Sequence, residues 1–216
     1  MLELGLKTLI AYLLGSLMGA LLVGRLRGVD IRELGSGNAG GTNALRTQGP
    51  WFAAATLVID IGKGWVAAGW LPEFGLPGMT ADTGVDRDWL ASACAAAVVA
   101  GHVWPLFHEF RGGKGGATFI GALAALAPLT VAVAVALWLV VATLTGFAGL
   151  ATMIAAAAMP VAIWLLDPGA TALLAFSFAM AVLIAWAHRG NIARLRAGAE
   201  PRLGRLGRSR PRRPAS

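Results

Sequence analysis

Charge and sulfur are scarce in this chain of 216 residues: charged side chains make up 13% of it, and Cys94 is its single cysteine. Soluble domains carry roughly 25% charged residues, so the composition excludes a soluble globular protein. One thiol excludes a disulfide framework. Cys94 also lies among alanines in an apolar run, where a reactive thiolate is disfavoured. Three histidines, His102, His108 and His188, are scattered without metal-ligand spacing, so neither a metal nor any other cofactor is expected. A cleavable secretory leader is not expected either. Glu3 offsets Lys7, no small-residue cleavage site closes the run 8–23, and Arg25 and Arg27 follow it directly. The first apolar run therefore reads as a retained helix.

Apolar side chains are what the chain has in excess, at 57%. A spanning helix takes about 20 mostly apolar residues, and the runs 4–24, 51–71, 89–107, 115–166 and 170–187 meet or exceed that scale. Lys and Arg mark the cytoplasmic loops of membrane proteins. Arg25, Arg27, Arg32 and Arg46 follow the first run, whereas the loop 72–88 sets Glu73, Asp82, Asp86 and Asp88 against Arg87 alone. The first loop is thus expected in the cytoplasm and the N-terminus outside. Alternation returns Arg111 and Lys114 to the cytoplasm, and the arginine-rich tail from Arg189 belongs there too.

The stretch between Lys114 and Arg189 must therefore cross an even number of times. Breaks at Pro128, Gly146 and Asp167-Pro168-Gly169 favour four crossings. The first of these, 116–127, spans only about 18 Å at 1.5 Å per residue, so it must be tilted, re-entrant or buried among neighbours. The expectation is an all-α, polytopic transmembrane helix bundle of seven crossings, five as the fallback, with the C-terminus cytoplasmic. Residues 1–200 form one membrane domain. Residues 201–216 form a basic, disordered arm that lies on anionic lipid rather than nucleic acid. Alanine-rich stretches such as 93–100 and 155–158 suit close helix packing, and Trp51, Trp70, Trp89, Trp104, Trp164 and Trp186 at run ends suit an interfacial belt.

Three polar segments stand out against this background, and the parity argument puts all of them at the cytoplasmic side. The first runs Gly35-Ser36-Gly37-Asn38-Ala39-Gly40-Gly41-Thr42-Asn43-Ala44-Leu45-Arg46. It contains a literal G-x-G-x-x-G, but a dinucleotide fingerprint needs a preceding strand, and an apolar helix stands there instead. What remains is a glycine-rich concavity of backbone donors suited to an anion, with Ser36, Asn38, Thr42 and Asn43 as short donors and Arg46 as a phosphate fork.

The second segment joins His102 to Arg111-Gly112-Gly113-Lys114-Gly115-Gly116. It is not a Walker A loop, because Gly115 stands where Ser or Thr is needed. A lysine between glycine pairs still makes a phosphate clamp. The third segment crowds His188, Arg189, Asn191 and Arg194 at the end of the last run, with Gly198 and Glu200 after it. His188, Asn191 and Arg194 recur every three residues, along one side of a helix. Asp60 and Lys63, mid-way along the second run, are candidates by their depth and can pair with each other at i, i+3.

Taken together, the segments resemble the acyl-phosphate-dependent glycerol-3-phosphate acyltransferases of bacteria, the PlsY type, whose patterns run roughly GSGNPGATN, GHxFPxFxxFxGGKGxAT and HRxNIxRLxxGxE. The match covers Gly35 to Glu200 in order and spacing, and Asp60 to Gly64 resembles a D-x-x-K-G feature of the family's second helix. Ala39 replaces a proline, Gly41 an alanine, Trp104 a phenylalanine and Gly116 a branched residue; none of these departures removes a polar side chain.

The resemblance implies transfer of a fatty acyl group from acyl phosphate to the 1-hydroxyl of sn-glycerol 3-phosphate, giving lysophosphatidic acid and phosphate. It further implies a bacterial inner-membrane enzyme of phospholipid synthesis, with its site facing the cytoplasm and an acyl-phosphate-making enzyme upstream. Ser36, His102 and His188 are then the catalytic candidates. Gly37, Asn38, Gly40, Thr42, Asn43, Arg46, Gly112, Gly113, Lys114, Gly115, Arg189, Asn191, Arg194 and Glu200 are the substrate-binding ones. Acyl phosphate is already activated, so Ser36 reads as a positioner before a nucleophile, and the hydroxyl proton could go to His102, His188 or a substrate phosphate. Acyltransferases that use acyl-CoA or acyl carrier protein share H-x-x-x-x-D. Here the fifth residues after the three histidines are Phe107, Gly113 and Ala193, which disfavours that class. Outside the enzymes, an organic-phosphate transporter is the alternative, although the chain shows no internal repeat and its polar segments gather at one interface rather than at mid-membrane.

Overall fold

The computed structural model describes residues 1–78 and 82–203, and every regular element among them is helical. In chain order the α-helices are α1 (Leu2–Gly15), α2 (Gly19–Leu26), α3 (Gly41–Gln48), α4 (Pro50–Trp65), α5 (Arg87–Val103), α6 (Gly116–Leu126), α7 (Pro128–Thr145), α8 (Ala148–Leu166), α9 (Thr171–Ala187) and α10 (Arg189–Arg196). A π-helical turn, Val66–Trp70, prolongs α4. Pro50–Trp70, Arg87–His108, Pro128–Thr145 and Ala148–Leu166 are each long and apolar enough to cross a membrane. The pairs α1 with α2 and α9 with α10 also qualify if each bent pair is one span.

The tract after Lys114 breaks where proline and glycine predict. Pro128 opens α7, Gly146 in the left-handed region (φ +78°) closes it, and Asp167 ends α8. α6, with 11 residues, is the short member and is sheltered by α4, α7, α5 and α9. Close approach of backbones explains two crossings. A Cβ on Gly15 or Gly101 would collide with the α5 or α1 backbone, and one on Gly64 or Gly121 with the backbone of α6 or α4. The apolar core formed by α1, α5, α6, α8 and α9 includes Val98, Val99, Phe119, Leu123, Met159 and Ile184, all buried.

The first run is not one straight helix, as the sequence implied, but two bent by 44° at Ser16–Met18. A break inside a membrane frees carbonyls and N–H groups that must find partners. The Asp60–Lys63 pair of α4, 3.0 Å apart, supplies them. Lys63 Nζ donates to Gly15 O and Leu17 O, each at 2.8 Å, and Asp60 Oδ1 accepts from Gly19 N–H at 3.2 Å. The cation thus sits at the C-terminus of α1 and the anion at the N-terminus of α2, each opposite the favourable end of a helix dipole. At the other end of the bundle, buried Glu3 pairs with Lys7 and with Arg87, each at 2.8 Å, and Lys7 Nζ donates to Pro72 O at 2.6 Å.

The last run also bends, by 53° at His188, which lays α10 across the end of the bundle where the polar segments lie. Residues 201–203, the start of the segment expected as a disordered arm on lipid, contact the bundle. Leu203 N–H donates to Gly146 O at 2.7 Å, and the Arg202 guanidinium lies 5.3 Å from the Phe147 ring centre. The rest of that arm, 204–216, lies outside the described residues.

Candidate active site

The three polar segments converge around one cavity of about 520 Å³. Its polar lining comprises Ser36, Asn38, Gly40, Thr42, Asn43, Arg46, Asp60, His102, Lys114, Gly115, His188, Asn191, Arg194 and Glu200. Its interior runs between α4, α6, α7 and α8 and is walled by Leu57, Ile61, Phe119, Ile120, Ala134, Val135, Trp138, Leu139 and Ala156. Val135 and Leu139 are half-exposed on the outer face of α7, so the wall there is thin. A second, shallower depression of about 290 Å³ adjoins the mouth. It shares Ser36, Asn38, Lys114 and Arg194 with the cavity and adds Gly37 and Arg189.

The first segment forms a loop closed by α3. Gly35 and Gly37 take left-handed backbone conformations (φ +58° and +72°), and a Cβ on Gly35 would strike the Asn43 carboxamide. That carboxamide holds the loop together: Nδ2 donates to Ile31 O at 3.2 Å and Leu34 O at 2.9 Å, while Oδ1 accepts from Ser36 N–H at 3.0 Å. Asn43, expected to orient phosphate, is therefore occupied within the loop, and Ser36, exposed at the mouth, is what the loop presents. Glycine caps leave the first turns of α3 and α6 without a side-chain cap, and their leading residues Gly41, Thr42, Gly116 and Ala117 line the cavity. Uncapped helix N-termini favour anions.

The glycine–lysine segment behaves differently from a backbone cradle. Gly113 N–H donates to His102 O at 3.0 Å and is not free for an anion. A Cβ on Gly112 would collide with His102 O, and one on Gly113 with His102 Nε2. Gly112 and Gly113 thus pack on His102 instead of facing the cavity, which is a correction to their expected role. The segment delivers Lys114, whose Nζ lies 2.5 Å from Asn191 Oδ1. Asn191 Nδ2 in turn donates to Glu200 Oε1 at 2.6 Å, and Arg194 Nε to Glu200 Oε2 at 2.7 Å. Burial, the nearby Arg194 charge and, less, Arg46 push the Lys114 ammonium down to about 8, against a smaller opposing pull from Glu200.

The three-residue spacing of the third segment works as the sequence suggests: His188, Asn191 and Arg194 all reach the cavity. Arg189 does not; it stacks over Trp186 at 4.1 Å and borders only the outer depression. His188 Nδ1 lies 2.8 Å from Ile184 O. A carbonyl only accepts, so Nδ1 carries the proton and Nε2 keeps a lone pair. Arg46 makes no ion pair among the described residues.

Sequence reasoning missed Trp138 and Thr152, which meet across α7 and α8 at 3.1 Å and line the cavity, and also Pro201 and Leu203, which close part of its rim. Nothing in their local pattern distinguishes them from ordinary membrane-facing or tail residues. It also missed that Asp60 Oδ1 lies 3.4 Å from His102 Nδ1, a pairing between residues of two helices that only the bundle brings together.

A family model described as glycerol-3-phosphate acyltransferase matches residues 6–198. Curated relatives carrying that name include one from Sinorhizobium fredii, 42% identical over 91% of this chain and 90% of its own length, and one from Jannaschia sp., 43% identical over 94% of each. Two crystal structures of PlsY, an integral membrane glycerol 3-phosphate acyltransferase, superpose closely. The glycerol 3-phosphate form has a TM-score of 0.82 at 31% identity, covering 94% of this chain and 96% of that one; the lysophosphatidic acid form has 0.79 at 30%, covering 92% and 94%.

Proposed function

This chain belongs to the glycerol-3-phosphate acyltransferase family, and from that premise we propose that it transfers a fatty acyl group from acyl phosphate to the 1-hydroxyl of sn-glycerol 3-phosphate, giving lysophosphatidic acid and inorganic phosphate. Acylation of glycerol 3-phosphate follows from the family and from the ligands of the two superposed crystal structures. The observation that carries the choice of donor is the form of the cavity: one cationic mouth continuous with one apolar interior. That shape fits a molecule with a phosphate at one end and an alkyl tail at the other. The adjoining depression, polar and bordered by Arg189, Lys114 and Arg194, suits the small, doubly charged acceptor.

With both phosphates held, the acceptor hydroxyl attacks the acyl carbonyl carbon. The new ester C–O bond forms as the carbonyl–phosphate C–O bond breaks, and inorganic phosphate leaves. The hydroxyl proton passes by way of His188 Nε2, the nitrogen left unprotonated by the bond to Ile184 O, to the departing phosphate, which leaves as hydrogen phosphate and restores the neutral ring. The donor is already a mixed anhydride, so catalysis is chiefly positioning and charge stabilisation. Lys114, Arg46 and Arg194 offset the phosphate charge, and Ser36, Asn38, Thr42 and Asn191 orient the reactants. His102 underlies the lysine loop.

Seven crossings, counting α6 as the short one, with the N-terminus outside and the mouth facing the cytoplasm of a bacterial inner membrane, agree with the arginines that border the site and with the positive-inside rule. Residues 1–200 then form the acyltransferase domain. An enzyme that makes acyl phosphate must act upstream.

The test follows phosphate release from palmitoyl phosphate by the purified chain, with and without glycerol 3-phosphate, beside palmitoyl-CoA. Release that requires glycerol 3-phosphate, with the CoA donor inert, is the expected result. Use of palmitoyl-CoA instead would overturn the donor.

A further inference from the structure

We propose that Asp60 is a positioning residue for the glycine–lysine loop, acting through the His102 ring; this rests on the phosphate-holding role given to Lys114 above. Asp60 and His102 are both buried, 1% and 2% exposed, and their facing atoms Oδ1 and Nδ1 are 3.4 Å apart. Neither His102 Nδ1 nor Asp60 Oδ2 has a hydrogen-bond partner among the described residues. Buried polar groups are ordinarily paired, and the carboxylate that faces His102 Nδ1 is that of Asp60, whose Oδ1 is shared with Lys63 Nζ and Gly19 N–H.

Asp60 is a fixed anchor, held by Lys63 Nζ at 3.0 Å and by Gly19 N–H at 3.2 Å. The ring's other nitrogen meets the loop, since a Cβ on Gly113 would strike His102 Nε2, and the His102 backbone carbonyl holds the same loop by accepting from Gly113 N–H and leaving no room for a side chain at Gly112. Lys114 is the next residue. A change of ring orientation at His102 therefore moves the atom on which Gly113 packs, one residue from the lysine that reaches Asn191. The carboxylate selects the one ring orientation on which the loop can lie. Capping the α1–α2 break, the other task of Asp60, involves Gly19 and Lys63 and does not require His102.

Two variants of the full-length chain in detergent, Asp60→Asn and His102→Gln, separate these tasks. Backbone hydrogen exchange is read at residues 112–115 and 16–19, together with KM and kcat for acylation of glycerol 3-phosphate. Both variants should exchange faster at 112–115, and Asp60→Asn alone also at 16–19. Each should lose about tenfold to a hundredfold in kcat/KM, mostly through KM, as a loop misplaced by an ångström would. Neither should cost anything further once Lys114→Ala is present. Unchanged exchange at 112–115 in a folded variant, or losses that multiply with that of Lys114→Ala, would overturn the proposal. Should Asp60→Asn fail to fold, His102→Gln, which leaves Gly19 and Lys63 in contact with Asp60, decides the matter. A wild-type chain that acylates no glycerol 3-phosphate would refute the function proposed above, while the exchange data would still decide whether Asp60 seats the loop.

Discussion

Raising the pH should release the phosphate clamp, because burial and a neighbouring cation hold the pKa of its lysine close to neutrality. Burial and the Arg194 charge disfavour the Lys114 ammonium and bring it down to about 8. The charged form, which a phosphate needs, is therefore full below that value and lost as pH rises through it. For a pKa of about 8, roughly 90% of the lysine is protonated at pH 7 and roughly 10% at pH 9, so the KM attributable to this contact should rise about tenfold across that interval. The substrate does not confuse the reading between pH 7 and 9, since a phosphate monoester has its second ionisation near 6 and is already about 90% dianion at pH 7. The assay is KM for glycerol 3-phosphate, and competitive inhibition by inorganic phosphate, measured from pH 6.5 to 9.5 in one detergent. Lys114→Arg is the control, because a guanidinium stays charged over the whole range and should flatten the profile whatever its absolute rate. A KM that is flat to pH 9.5 in the wild type, or a rise of equal size in Lys114→Arg, would refute the assignment of the clamp to this lysine.

Glu200→Gln should move the same inflection to lower pH, since Glu200 is the charge that favours the Lys114 ammonium; a pH-KM profile compared with the wild type checks the direction. Ser36→Ala leaves the backbone bonds of its loop intact and should cost about a hundredfold in kcat, the loss expected for one donor at the reacting centre, with thermal unfolding unchanged. Gly149→Ala places a Cβ 2.6 Å from Asn191 Nδ2 and should disturb the Lys114–Asn191–Glu200 chain, lowering kcat/KM by about tenfold or more; steady-state kinetics on folded protein checks it. Ala134→Phe fills the buried interior wall and should shift preference towards shorter acyl chains, read by competition between dodecanoyl and octadecanoyl phosphate, at an overpacking cost of about 1–3 kcal/mol.

Much was decided by the one-dimensional pattern. Apolar runs of membrane length, the Pro128 and Gly146 breaks and the three polar segments are local properties, set by desolvation of the backbone and by the few residues that can end a helix. The three-residue repeat of His188, Asn191 and Arg194 likewise needed only helical geometry to face one way, even though the helix bends at its first member. Other features depend on which helices become neighbours, and hydropathy carries no information about that. The bend between α1 and α2 became affordable only because α4 brings Lys63 and Asp60 to the freed carbonyls and N–H. Asn43 turned from a presumed ligand into a loop clasp once its carboxamide met Ile31 and Leu34. Gly112 and Gly113, which read as anion donors beside a lysine, proved to be glycines because His102 occupies the space that side chains would take. The apolar cavity wall, with Trp138 tied to Thr152, is assembled from α4, α6, α7 and α8, and each of its residues is individually an ordinary membrane residue. The sequence by itself determined a helical membrane protein with phosphate chemistry at one end. Tertiary packing decided which of the polar residues touch that chemistry and which hold the others in place, because a side chain's role depends on the partners already bound to its donors and acceptors.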